Sequence, residues 1–97
     1  MPQYVVLVKW TDQGVREAKD ALNRRERFAQ IAQGMGCQMG EAVWTLGRYD
    51  VVARLEAPDD ETASAFALRI AATGAGRTET LRAFTAEEMQ TIIGKLG

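Results

Sequence analysis

The 97-residue chain has no histidine, one cysteine, one serine and two prolines. Without histidine it cannot form a Ser-His-Asp triad, a Cys-His nucleophile pair or an HExxH zinc site. The single thiol, Cys37, has no partner for an internal disulfide, and Ser64 is not part of a G-x-S-x-G motif. We therefore predict no catalytic residue of these classes, no metal site and no cofactor.

The chain has 12 Lys and Arg residues and 13 Asp and Glu residues, so its formal net charge is −1 and neither sign is in marked excess. This balance gives no long-range attraction to nucleic acid or to an anionic membrane. No apolar run approaches the roughly 20 residues that a membrane helix needs, and Met1 to Tyr4 lack the regions of a signal peptide. Since a lone thiol also fits a reducing cytosol, we expect a soluble cytoplasmic protein with no nucleic-acid or membrane partner.

Apolar residues make up 46% of the chain, which is ordinary for a globular protein and too many for a disordered one. A chain of this length supports one compact core and is too short for two. We therefore predict a single domain over residues 1–97.

Hydrophobic periodicity predicts seven elements in the order β-α-β-β-α-β-α. Residues 4–10 are almost all β-branched or aromatic, as in a central strand, and residues 51–55 alternate as in a half-buried one. The predicted strands are 4–10, 38–46, 49–57 and 77–84, and the predicted helices are 15–35, 60–73 and 86–96. Right-handed crossovers arrange these elements as a ferredoxin-like α+β fold, whose four-stranded antiparallel sheet has the order 4-1-3-2, with a short C-terminal helix added.

The first predicted helix has an apolar stripe and a basic side. The stripe contains Val15, Ala18, Leu22, Ala29 and Ala32. We predict that the basic residues form a solvated face that neighbouring acids partly neutralise; contact with RNA or DNA is the alternative. These basic residues are Arg16, Lys19, Arg24, Arg25 and Arg27.

The helices cover one face of the predicted sheet and leave the other open. Val51, Ala53 and Leu55 of strand 3 are predicted to face the helices, as are Leu81 and Ala83 of strand 4. The open face then carries Val52, Arg54, Glu56, Thr78, Thr80, Arg82 and Phe84. The pattern leaves the parity of strands 1 and 2 undecided, but either choice adds bulky apolar groups to this face.

A monomer rarely exposes so large an apolar patch, so we predict a homodimer, or a multiple of it, in which two sheets face each other. Arg54, Glu56 and Arg82 make the space between the sheets partly polar. That space either holds water or a small ligand, or the charges pair across the interface.

The run from Trp44 to Val52 contains Gly47-Arg48-Tyr49-Asp50 and resembles the GYD-domain family, small bacterial proteins named for a Gly-Tyr-Asp motif. In this chain one residue splits the motif. The resemblance extends over most of the chain through the runs Tyr4-Val5-Val6-Leu7, Trp10-Thr11-Asp12-Gln13-Gly14, Glu56-Ala57-Pro58-Asp59-Asp60 and Arg77-Thr78-Glu79-Thr80-Leu81-Arg82-Ala83-Phe84. It implies a dimeric α+β-barrel type of fold and no established activity, so it transfers no catalytic residue.

Seven residues are candidates for ligand binding. They are Trp10, Trp44, Tyr49, Asp50, Arg54, Thr80 and Arg82. The two tryptophans are either core or interface residues, or a floor on which a planar aromatic or quinone-like compound stacks. In the tight turn predicted at Gly47, Asp50 either accepts backbone N–H groups or works with Tyr49 as an acid/base pair at a pocket mouth.

Other polar clusters have a structural and a functional interpretation. Arg82 with the hydroxyls of Thr78 and Thr80 is the best anion candidate. The acids at 59–61 either complement a helix dipole or bind Mg²⁺. Thr11 is predicted to cap the first helix and Thr85 the last, the latter in a capping box.

Two functions follow from these observations. The first is a non-catalytic dimeric module that either binds a small metabolite between the sheets or at the subunit interface, or serves as an assembly unit. The second is a small cofactor-free enzyme, of a monooxygenase or isomerase kind, that uses the aromatic and polar residues named above; fold analogy alone supports this second function.

Overall fold

A computed structural model of the chain describes all residues from Met1 to Gly97. The strands are β1 (Gln3–Trp10), β2 (Gln38–Trp44), β3 (Val51–Glu56) and β4 (Gly76–Ala83). The helices are α1 (Asp12–Arg16), α2 (Ala21–Gly34), α3 (Asp60–Ala72) and α4 (Ala86–Gly94), and a 3₁₀ turn at Ala18–Asp20 separates α1 from α2. No helix combines the length and the apolar character that crossing a membrane would require.

The four strands form one antiparallel sheet in the order β2-β3-β1-β4. Counted from the β4 edge, the strand order is 4-1-3-2, as predicted. The ferredoxin-like α+β fold is therefore confirmed. β1 lies between β3 and β4, as its apolar sequence predicted. A register shift in β2 between Met39 and Ala42 marks a bulge in this edge strand.

The core lies between the sheet and the helices α2 and α3. β1 presents every second side chain to it, and α3 adds Phe66 and Ile70. These positions follow the two-residue period of the strand and the four-residue spacing of the helix. The buried cluster is Tyr4, Val6, Val8, Ala32, Cys37, Leu55, Ala57, Ala63, Phe66 and Ile70.

The first predicted helix is divided in two. Thr11 caps α1 and accepts a hydrogen bond from the backbone N–H of Gly14 at 3.2 Å, but α1 ends after five residues. The 3₁₀ turn that follows changes the direction of the helical face. Val15 and Leu22, predicted in the apolar stripe, are therefore 56% and 65% exposed, and that part of the prediction is wrong. The stripe holds further along, where Ala32 is fully buried.

The sheet faces predicted for the side chains of β4 are wrong. The pairing of β4 with β1 places the residues predicted for the open face on the helix side, and the residues predicted for the helix side on the open face. Thr80 pairs with Val6 and Arg82 pairs with Tyr4, so both lie on the helix-side face of the sheet. Leu81 pairs with Val5 on the open face and is 45% exposed. β4 is an edge strand, so burial selects its register only weakly.

Contacts at the beginning of β4 set this register instead. The Thr11 backbone N–H donates to the carbonyl of Ala75 at 3.1 Å, and the Thr11 hydroxyl donates to the carbonyl of Gly74 at 2.5 Å. Gly14 lies against the same segment, since a Cβ there would stand 2.0 Å from the Ala75 oxygen. The β1–α1 junction and the α3–β4 turn are therefore locked together.

The turn predicted at Gly47 is a longer loop. β2 ends at Trp44 and β3 begins at Val51, so residues 45–50 connect them. Thr45 holds this loop closed, because its N–H donates to the Asp50 carbonyl at 2.9 Å and its hydroxyl donates to the Tyr49 carbonyl at 2.7 Å. Gly47 adopts a positive φ of 117°, a conformation that glycine accommodates readily.

The C-terminal helix α4 has the predicted capping box between Thr85 and Glu88. None of its residues is buried. Met89 and Ile93, on the apolar side that defined the helix in the sequence, are 47% and 54% exposed. α4 is therefore an amphipathic helix whose apolar side is not covered within one chain.

Candidate functional site

A mainly apolar cavity of about 50 Å³ lies between α2 and the sheet. β1, β2 and β3 supply its floor, α2 forms one wall, and α3 contributes Phe66 and Ile70. Of its 18 lining residues 14 are hydrophobic, and the charged ones are all arginines. Small-molecule sites are usually apolar with a few convergent polar groups, and this cavity shares that character, although it is small for such a site and partly open to solvent.

Two arginine–tryptophan pairs stand at one end of this cavity. Trp10 and Trp44 end β1 and β2, and these strands run in the same direction on either side of β3. The Arg24 Cζ lies 5.1 Å from the centroid of the Trp10 ring, and the Arg25 Cζ lies 5.9 Å from that of Trp44. Both distances are within the range of a cation–π contact.

Arg24 is a buried cation with weak partners. The residue is only 7% exposed, and its Nη1 and Nη2 donate to the Gly14 carbonyl at 3.5 and 3.4 Å, beyond the usual length. No carboxylate lies within ion-pair distance of it. Asp20, which precedes α2, is instead bonded to Arg27 at 3.0 Å and to Asn23 at 2.9 Å.

The prediction that Arg24 belongs to a solvated face is wrong. Arg24 precedes Phe28 by four residues and Ala32 by eight, so it lies on the side of α2 that packs on the sheet. This spacing is a signal that the sequence contained. The apolar stripe that begins at Val15 hides this spacing, because Val15 lies before the 3₁₀ turn and Arg24 after it.

Asp50 holds Trp10 in place. Its Oδ2 accepts a hydrogen bond from the backbone N–H of Trp10 at 2.8 Å, and its own N–H donates to the Val8 carbonyl at 2.8 Å. The Asp50 side chain and backbone thus continue the hydrogen bonding of β1 past the first residue of β3. This is the turn role predicted for Asp50, in which the side chain accepts a backbone N–H.

The Tyr49 hydroxyl has its partner on β4 and not at the end of β1. Its hydroxyl donates to Glu79 Oε1 at 2.9 Å, and Glu79 belongs to the open face of β4. The hydrogen bond to Glu79 raises the pKa of the Tyr49 phenol above its usual range, with a smaller contribution from desolvation. Tyr49 and Asp50 therefore have separate partners and do not form a hydrogen-bonded acid/base pair.

The remaining candidates are dispersed. Arg54 lies on the open face and donates to the Gln3 side chain. The hydroxyl of Thr80 is buried without a hydrogen-bond partner. Arg82 lies over the rings of Phe84 and Tyr4, with Cζ 4.6 and 5.7 Å from their centroids. Of the seven predicted residues, Trp10, Trp44 and Arg54 line the cavity and Asp50 is bonded to Trp10, whereas the other three lie elsewhere.

Three further polar residues are accounted for by structure. The hydroxyl of the buried Tyr4 donates to Asp60 Oδ1 at 2.5 Å, and desolvation followed by this bond raises its pKa to about 12. Cys37 is buried, and desolvation raises the pKa of its thiol. Asp59 caps α3 by accepting from the Thr62 N–H at 2.8 Å, and the bonds from Thr62 lower the Asp59 pKa.

The β-α-β-β-α-β order and the sheet topology place the chain among ferredoxin-like domains. The model of the GYD domain matches residues 4–93, and the chain therefore belongs to the GYD-domain family, as its motifs predicted. It is also similar to the crystal structure of TTHA0845 from Thermus thermophilus, with 26% identity, a TM-score of 0.57 and coverage of 89% of this chain and 96% of that one. No curated protein matches the chain.

Proposed function

We propose that this protein is a homodimeric, non-catalytic module that binds a small molecule in the cavity under α2. The observation that carries the binding function is the apolar cavity with its two arginine–tryptophan pairs. The sequence pattern predicted a ligand between two sheets or at the subunit interface. The cavity is on the opposite face of the sheet, so we move the proposed site there.

The open face of the sheet supports the homodimer. Val5 and Leu7 of β1 alternate away from the helices, and Val52 of β3 lies beside Leu7. Val43 and Leu81 extend this patch to the two edge strands and are 44% and 45% exposed. A contiguous apolar surface across four strands is unusual on a monomer and typical of an interface.

Charges on the same face favour a second copy as the occupant. Arg54 and Glu56 lie on β3, and Lys9 and Glu79 lie on β1 and β4. In a two-fold symmetric interface the same surface of both copies is in contact, in opposite orientations. A face that carries both positive and negative charges can therefore pair opposite charges across the interface. The uncovered apolar side of α4 adds area toward the roughly 800 Å² per partner that a stable dimer buries.

The absence of a catalytic role is supported by how the polar groups are engaged. Asp50 is bonded to the Trp10 N–H, and the Tyr49 hydroxyl is bonded to Glu79. A general acid or base must reach the reacting atoms, and neither group stands free at the cavity. These contacts favour the binding module over the cofactor-free enzyme. The single cysteine, which forms no internal disulfide, fits the cytoplasmic location that we continue to expect.

Native mass spectrometry of protein purified without added ligand tests both parts. We expect the mass of a dimer, or of a multiple of it, together with a reproducible extra mass that is lost on denaturation. A monomer at micromolar concentration would contradict the packing of two open faces. A dimer that never carries extra mass, and that binds no small aromatic probe at millimolar concentration, would contradict the binding function.

A further inference from the structure

We propose that the ligand of this cavity is a small carboxylate with a flat apolar body, of about the size of benzoate, and that Arg24 binds its carboxylate. This inference rests on the proposed binding function and specifies the ligand class. It combines two observations: a buried guanidinium with no carboxylate within ion-pair distance, and an aromatic wall.

The first argument is the charge of Arg24. A buried cation is costly unless it is paired and hydrogen-bonded, and Arg24 has only one carbonyl oxygen at 3.4 to 3.5 Å. A guanidinium has five N–H donors in a planar fork that matches the two oxygens of a carboxylate. A ligand carboxylate would therefore supply the partner that the chain does not provide.

The acids nearest in sequence are already engaged. Asp20 is paired with Arg27 at 3.0 Å, and Glu26 is paired with Arg25 at 2.9 Å on the exposed side of α2. Pairing of either acid with Arg24 would require breaking one of these contacts. The bonds from Asn23 and Arg27 lower the Asp20 pKa, and Arg24 adds a smaller coulombic contribution without bonding to Asp20. Glu17 lies beside the same surface pocket as Arg24 and does not bond to it either, so the position of a bonded carboxylate on Arg24 is open.

The second argument is the shape and polarity of the rest of the site. The indoles of Trp10 and Trp44 offer flat surfaces, and most of the other lining residues are aliphatic or Phe. Planar rings stack or pack edge-on against such surfaces. The cavity encloses about 50 Å³ and is partly open to solvent, so the flat body of a ligand such as benzoate would be enclosed only in part.

Arg24 and the aromatic wall together predict that the site binds a carboxylate more tightly than a neutral compound of the same shape. A carboxylate bonded to Arg24 makes a charge-assisted pair, worth about 1.5–3 kcal/mol, which corresponds to roughly 10- to 150-fold in affinity. A neutral analogue of the same shape keeps the aromatic contacts and loses this pair. Benzoate should therefore bind at least about tenfold more tightly than benzamide.

The experiment is a titration of the full chain with benzoate and with benzamide, followed by the indole N–H signals of the two tryptophans in ¹H–¹⁵N spectra. We expect benzoate to shift both signals and to bind more tightly by the factor given above. Arg24→Gln should lower the affinity for benzoate at least about tenfold and leave that for benzamide unchanged. Arg69→Gln, at an exposed position of α3 that makes no ion pair, is the matched control and should leave both affinities unchanged.

The outcomes separate the two proposals. If neither compound shifts a tryptophan signal, the cavity is not a binding site for small aromatic compounds, and the proposed function fails. If both bind with equal affinity to the unaltered chain, the cavity binds ligands but the carboxylate assignment is overturned. The comparison of the two probes on the unaltered chain needs no variant, so it remains decisive even if Arg24→Gln does not fold.

Discussion

The backbone N–H of Trp10 donates a 2.8 Å hydrogen bond to Asp50 Oδ2, and this bond joins the end of β1 to the family's Gly-Tyr-Asp loop. Asp50, the aspartate of the motif, therefore has a structural role. The carboxylate fixes the residue whose ring is one wall of the cavity and one half of the Arg24 pair. The loop and the cavity are thus connected through a single hydrogen bond.

The first prediction concerns this bond. Asp50→Ala should lower the free energy of unfolding by about 1–3 kcal/mol, because it leaves the half-buried Trp10 N–H without its partner. Urea denaturation followed by tryptophan fluorescence measures the change. Asp50→Asn keeps an acceptor oxygen and should cost less. Equal losses in the two variants would contradict the hydrogen-bonding role.

The second prediction concerns the close approach of α1 to the α3–β4 turn. Gly14→Ala should destabilise the chain by about 1–3 kcal/mol, because the new Cβ would overlap the Ala75 carbonyl, even though alanine favours a helix. Gly34→Ala is the matched control, since nothing lies within 4 Å of a Cβ at that position in α2. It should be neutral or stabilising by up to about 1 kcal/mol. Thermal or urea unfolding of both variants would reveal the difference, and equal effects would refute the close approach.

The third prediction concerns pH. The pKa of Tyr4 is about 12 in the folded chain, against an ordinary value of 10, because the phenol is desolvated and bonded to Asp60. Its contribution to stability is complete below pH 10 and is lost as the pH rises toward 12, since the unfolded chain releases this proton first. The urea midpoint of the unaltered chain should therefore fall more steeply over that interval than the midpoint of Tyr4→Phe.

Tyr49→Phe is the control for the alkaline titration. Tyr49 also has a raised pKa, but its hydroxyl lies at the surface beside Glu79. Its removal should change the slope much less than removal of the Tyr4 hydroxyl, because water screens an exposed pair. Lysine deprotonation affects all three proteins equally. Parallel curves for the unaltered chain and Tyr4→Phe would refute the buried role of the Tyr4–Asp60 pair.

The element order and the sheet topology could be predicted because local patterns carry them. The alternation of Val51, Ala53 and Leu55 on β3 predicts its faces correctly, since a central strand under two helices has one strongly buried side. β4 has no such constraint. Contacts of Thr11 with Gly74 and Ala75, residues distant in sequence, set its register, and no pattern within β4 reports them.

The candidate site was predictable only in part for a related reason. Aromatic residues at strand ends pointed to Trp10 and Trp44, which do line the cavity. Arg24 was missed, because its burial depends on where the helix is interrupted. A buried arginine that follows the spacing of Phe28 and Ala32 looks like an ordinary surface residue unless the 3₁₀ turn at 18–20 is known.

The last prediction tests the open face as the dimer interface. Leu81→Glu places a carboxylate within the patch that we propose two copies share, and two-fold symmetry introduces the charge twice in each dimer. We expect the unaltered chain to sediment as a dimer at micromolar concentration and the variant to dissociate at least about tenfold more readily, since a buried unpaired charge is costly.

Leu68→Glu is the matched control for the interface. Leu68 lies on α3, on the other side of the sheet, and is 71% exposed, so the same change there should leave the assembly intact. Circular dichroism establishes that both variants retain the fold, which the exposure of the two leucines leads us to expect. If Leu81→Glu remained a dimer while retaining its fold, the open face of the sheet would not be the interface, and the uncovered side of α4 would become the principal candidate.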